Sequence, residues 1–133
     1  MKLNAYLTLN GGLAREAINY YAALLGAEVE NLMTFAEAPF DVPEGFQNKI
    51  LHAHLNISGN DLMLSDTLPG HEAHMGSHIH LSLGFDQREK AQDFYEAVET
   101  DGESTMPFEP AYWGGLFGAV RDKYGIHWMV SAP

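Results

Sequence analysis

Between Leu3 and Leu9 the chain alternates, with Leu3, Ala5, Leu7 and Leu9 on one side and Asn4, Tyr6 and Thr8 on the other. A two-residue period of this kind predicts a half-buried strand. From Leu13 to Leu25 the period changes. Leu13, Ala17, Tyr20, Tyr21, Leu24 and Leu25 fall at helical spacing, and Gly26 is placed to end the helix. Ala27 to Phe35 reads as a second strand. Glu37 to Lys49, with Pro39, Pro43 and Gly45, reads as a loop. Leu51 to Ser58 alternates again, setting His52, His54, Asn56 and Ser58 against Ala53, Leu55 and Ile57. Gly59-Asn60 is a turn signal, and Asp61 to Ser65 closes a hairpin.

After a loop from Asp66 to Gly76 the order begins again. Ser77 to Phe85 reads as a strand, with His78, His80 and Ser82 opposing Ile79, Leu81 and Leu83. Asp86 and Glu89 have the spacing of a capping box before a helix running to about Glu99. Glu103–Phe108, Leu116–Arg121 and Ile126–Ser131 are the remaining strands. The order is βαβββ twice, an α+β arrangement.

The two halves also echo one another residue by residue. Leu7-Thr8-Leu9, Ala17 and Tyr20-Tyr21 return 74 positions later as Leu81-Ser82-Leu83, Ala91 and Phe94-Tyr95. Gly59, Met63 and Ser65 return 66 positions later as Gly125, Met129 and Ser131. The longer 37–49 loop accounts for the difference. A unit seen twice is a duplicated module rather than a solenoid. Each helix must cover the apolar face of its sheet. The polar faces, bearing Tyr6, Thr8, His52, His54, Asn56, His78, His80 and Ser82, are expected to form a concave surface.

Composition narrows the function. The 133 residues suit one domain, with 46% apolar and 19% charged residues. Eighteen acids against seven bases give a net charge of −11, which repels phosphate backbones and anionic lipid, so neither nucleic acid nor membrane is an expected partner. The absence of cysteine fits a reducing cytoplasm. No secretory leader and no apolar run of membrane-spanning length is read, so a cytoplasmic location is expected.

Several stretches together resemble the vicinal oxygen chelate superfamily of glyoxalase I, bleomycin-resistance proteins and extradiol dioxygenases, in particular its PhnB-like branch. They are Ala17-Ile18-Asn19-Tyr20-Tyr21 with Leu25-Gly26-Ala27-Glu28, and His52-Ala53-His54 leading to Leu62-Met63-Leu64-Ser65-Asp66. Trp113 with Phe117-Gly118, and Asp122 through Met129, complete the set. The resemblance implies two βαβββ modules, about 1–68 and 77–133, forming a glyoxalase-like paired curved sheet with a cleft. It also implies a homodimer, since many members are dimers. Metal-using members place a ligand on the first and last strand of each module. Carried over, those places fall on Tyr6, Met63, His78 and Met129, of which only His78 is a strong ligand. The usual four-ligand site is therefore not expected, and no cofactor is assigned.

Seven histidines still admit a divalent metal. His52/His54 and His78/His80 are i, i+2 pairs, each sharing a strand face, and two such faces could gather three imidazoles. Equally, these histidines could simply hydrogen-bond or meet solvent. His71-Glu72-Ala73-His74 has one residue too few to put both imidazoles on one helical face, and Gly70 and Gly76 mark a loop. Met63 and Met129 serve either as core filler or as an adaptable floor for a planar ligand. Tyr6, Trp113 and Phe117 would add aromatic walls. No nucleophile elbow, phosphate loop or dinucleotide fingerprint is present, nor the nucleotide loop that a methyltransferase would need.

The sequence thus predicts a small-molecule-binding protein. Its pocket is expected from Tyr6, His52, His54, Met63, His78, His80, Trp113, Phe117 and Met129, with the catalytic residues unassigned. The alternative is a metal-dependent lyase, isomerase or dioxygenase drawing its ligands from His52, His54, His78 and His80. A third possibility is a vestigial cleft in a structural dimer.

Overall fold

The computed structural model describes residues 1–133, which fall into two compact units, Met1–His74 and Met75–Pro133. In the first unit β1 (Ala5–Leu9) leads to helix α1 (Ala14–Leu25), then β2 (Glu28–Thr34), a short 3-10 turn (Phe35–Glu37), β3 (Ile50–Ile57) and β4 (Asn60–Asp66). The sheet order is β1-β4-β3-β2; β1 runs parallel to β4 and the other pairs are antiparallel. Helix α1 packs on one face of this sheet. It buries Ala14, Ala17, Ile18 and Tyr21 against Leu7, Leu9, Ala53, Leu55, Leu62 and Leu64. The two alanines carry no bulk beyond Cβ, which lets the helix axis approach the strands. Gly26 ends the helix in the left-handed conformation, φ 62°, and its N–H donates to the Ala22 carbonyl.

The N-terminus of α1 has no cap of its own, because Leu13 occupies that place. A distant residue supplies it instead. Buried Asp66, at the end of β4, accepts from the Ala14 N–H through Oδ1 at 2.9 Å. Its Oδ2 accepts from the Ile50 N–H at 2.8 Å, so one carboxylate satisfies the start of α1 and the start of β3 together.

The second unit repeats the order with β5 (Leu81–Gly84), α2 (Arg88–Asp101), β6 (Glu103–Pro110), β7 (Leu116–Arg121) and β8 (His127–Ala132). Its sheet order, β5-β8-β7-β6, matches the first, again with one parallel pair. Ala91, Phe94, Tyr95 and Val98 of α2 bury against Val120, Trp128 and Val130. Between β7 and β8, buried Asp122 binds the turn: Oδ1 accepts from the N–H groups of Tyr124 and Ile126, and Oδ2 from the Trp128 indole N–H at 2.9 Å. Gly118 of β7 is required by close packing, since a Cβ there would stand 2.7 Å from Phe108 Cα.

Two expectations are corrected. The capping box expected at Asp86/Glu89 does not form, because α2 starts one residue later than that box requires and Gln87 is its uncapped N-cap. A box of that kind occurs at Thr34/Glu37 instead, where Glu37 accepts from the Thr34 N–H at 2.8 Å. The strand expected over Ser77–Phe85 is confined to Leu81–Gly84. Leu81 pairs with Trp128, so earlier residues would have to pair with Ile126, whose N–H is held in the Asp122 turn. Ile79, apolar and in phase with the strand, is accordingly 73% exposed.

Candidate functional site

In each unit one sheet face is taken by the helix, and the chemistry-bearing side chains gather on the other. In the first unit the register sets Tyr6 beside Met63, and Met63 beside His54. Met33 of β2 lies beside His52. The two histidines have separate partners. The Tyr6 hydroxyl and His52 Nδ1 share a hydrogen bond of 3.1 Å, their rings 5.6 Å apart. His54 Nε2 instead bonds an Asp61 carboxylate oxygen at 2.7 Å, and Glu30 lies 3.9 Å from its Nδ1. Asn56 donates to Glu30 at 2.9 Å and keeps that acid over the sheet. The face therefore divides into a Tyr6–His52 end flanked by thioethers and a His54 end flanked by acids.

In the second unit Met129 lies between Ser82 on β5 and Ala119 on β7. Phe117 is set between Ser131 and Glu109 by the two antiparallel pairings. The β6–β7 hairpin closes through Ala111 N–H to Gly115 O at 2.9 Å and Gly114 N–H to Ala111 O at 3.0 Å. It carries Trp113, whose ring meets Phe117 at 5.4 Å and Tyr112 at 4.8 Å.

His78 and His80 precede β5 rather than riding on it. His78 is exposed. His80 Nε2 donates to the Ser77 carbonyl at 3.0 Å, its ring lies 5.1 Å from that of His127, and its Nδ1 is buried without a hydrogen-bond partner. The register also revises the internal repeat. Because Tyr6 lies beside Met63 and Ser82 beside Met129, the residue standing where Tyr6 stands is Ser82. The 74-residue echo holds for the helices, and the strand before the second helix is offset by two more.

Glu72 has its carboxyl held below the ordinary value of 4.5, chiefly by backbone N–H groups, its own and that of Gly70.

Residues the sequence reading passed over are Asp61, Glu30, Met33, Glu109, Tyr112 and His127. Asp61 and Met33 become visible only once strands are paired. Tyr112 had a local signal, as an aromatic doublet before Gly114-Gly115.

Two βαβββ modules in sequence, each with a helix on one face of a mixed four-stranded sheet, define an α+β protein of duplicated architecture. The chain belongs to the Glyoxalase/Bleomycin resistance protein/Dioxygenase superfamily, whose family model matches residues 4–130. It is 31% identical over 141 residues to protein YjdN of Escherichia coli K12, covering 98% of this chain and 95% of that protein. Its fold is similar to the crystal structure of protein PA1353 from Pseudomonas aeruginosa, with TM-score 0.89, 31% identity, and 99% and 97% of the two chains covered. The PhnB protein from Bacillus cereus shares the fold over 100% of both chains, with TM-score 0.85 at 23% identity. No helix is long and apolar enough to cross a membrane.

Proposed function

We infer that this protein binds a small organic molecule on the helix-free faces of its sheets and does so without the metal used by chelating members of its superfamily. One observation carries the reading. The strand positions corresponding to the chelating set hold Tyr6, Met63, Ser82 and Met129. Two thioethers, a phenol and a hydroxyl do not fit a divalent cation that prefers carboxylate or imidazole. They do fit an organic ligand, because thioethers adapt their shape to an apolar body and hydroxyls fix its orientation.

His52 and His54 support the same reading. One is engaged with Tyr6 and the other with Asp61, so the pair does not converge on one point. Both methionines are half-buried, as suits the floor of a binding surface. The reading includes a homodimer in the cytoplasm. The Bacillus cereus relative is described as a putative 3-demethylubiquinone-9 3-methyltransferase. Without a nucleotide-binding glycine loop, a methyl-transfer role is not part of the reading for this chain.

The test is a thermal-shift screen of small organic compounds on untagged protein, run with and without Zn, Ni and Fe, alongside metal analysis. A ligand at 100 times its Kd adds about 2.7 kcal/mol, several degrees in a protein of this size. Stabilisation by a metal-free ligand, weakened in Met63→Ala and Met129→Ala, is expected. Stoichiometric metal that is lost in His80→Ala would overturn the reading in favour of a metal-dependent enzyme, and so would ligand binding only in the presence of metal.

A further inference from the structure

We propose that the β6–β7 hairpin of the second unit is a subsite for an organic ammonium cation, formed by Tyr112, Trp113 and Phe117 with Glu109 as counter-charge. The proposal rests on the small-molecule reading above and specifies the ligand's charge.

Three rings meet here at steep angles. Trp113 stands at 67° to Phe117 and Tyr112 at 85° to Trp113, with centroids 5.4 and 4.8 Å apart. Rings at steep angles to one another make an open aromatic corner, and an electron-rich ring face in it attracts a cation lacking N–H donors. The corner is also open. Trp113 is 60% exposed and Tyr112 97%, although burying two such rings elsewhere would have been favourable. The hairpin hydrogen bonds of Ala111, Gly114 and Gly115 fix the loop that presents them.

Charge selects the ligand. Glu109 lies opposite Phe117 in the β6–β7 register, on the same face, and no ion pair engages it. The stretch from Glu103 to Phe117 contains no lysine or arginine. A protein of net charge −11 concentrates cations at such a corner and repels anions. A neutral aromatic could stack there, but the unpaired carboxylate would then serve no purpose.

The experiment compares choline with 3,3-dimethylbutan-1-ol, a neutral molecule of nearly the same shape, by calorimetry and ligand-observed NMR on the whole chain. Choline should bind at least about tenfold more tightly than the alcohol, and more weakly as salt is raised. Trp113→Ala and Glu109→Gln should each weaken choline about five- to tenfold with the melting temperature unchanged, since both side chains are exposed. Equal binding of the two probes, or choline binding untouched by Trp113→Ala, would overturn the subsite. If choline fails while other neutral compounds stabilise the protein through Met63 and Met129, the cation proposal falls and the broader reading stands. If no organic compound binds at all, both fall.

Discussion

Tyr6 and His52 hydrogen-bond at 3.1 Å although their strands are not neighbours, because β4 runs between β1 and β3. The tyrosine, level with Met63 and His54 in the register, reaches diagonally across β4 to the imidazole of His52. The pair thus links β1 to β3 over the strand between them, with the two rings 5.6 Å apart. The hydrogen bond is exposed, so it contributes little to holding the fold together. Tyr6→Phe removes one exposed hydrogen bond, worth about 0.5–1 kcal/mol, and keeps the aromatic ring. Thermal unfolding of Tyr6→Phe should fall within a few degrees of the parent, whereas affinity for any ligand of this face should drop by roughly tenfold. Loss of several kcal/mol in stability with affinity intact would show the pair to be structural.

Asp66 is the opposite case. Its two oxygens are the acceptors for the Ala14 and Ile50 N–H groups, and the carboxylate is buried. Asp66→Ala leaves two buried donors without acceptors, at a cost of about 1–3 kcal/mol each. Asp66→Asn keeps one acceptor oxygen but points an amide donor at the other N–H. Urea denaturation should therefore rank the parent above both variants by about 2 kcal/mol or more, with the fraying of α1 visible in circular dichroism. A loss below about 0.5 kcal/mol would mean that water replaces the carboxylate at no cost.

These three residues also mark what a sequence can and cannot disclose. Tyr6 and His52 were legible as members of polar faces, because strand alternation assigns a face without knowledge of the neighbouring strand. Their contact was not legible, since it depends on which strand lies between them. Asp66 sits 52 residues from the helix start it caps, so no local motif could announce it. The duplicated βαβββ order was readable from periodicity and from the echo of Tyr20-Tyr21 in Phe94-Tyr95. The beginning of β5 was not. Alternation continues through His78 and Ile79 into a stretch where the Asp122 turn leaves nothing to pair with. That one tertiary limit moved Ser82 into the place that His78 was expected to fill.

The Asp122 turn offers a sharper test of how the second unit is held. Oδ1 accepts two backbone N–H groups within the turn, and Oδ2 accepts the indole N–H of Trp128, which is almost wholly buried. In Asp122→Asn the remaining carbonyl oxygen can serve the backbone or the indole, and the amide nitrogen must face a donor at the other position. That mismatch in a buried site costs about 1–3 kcal/mol. If the backbone keeps the oxygen, the indole loses its acceptor, and Trp128 emission should change while the turn survives. If the indole keeps it, the Tyr124 and Ile126 amides should lose hydrogen-exchange protection first. Adding Trp128→Phe to the same background separates the two outcomes. Phenylalanine removes the indole donor, so the double variant should recover part of the Asp122→Asn loss, relative to Trp128→Phe alone, only where the indole was left without its acceptor.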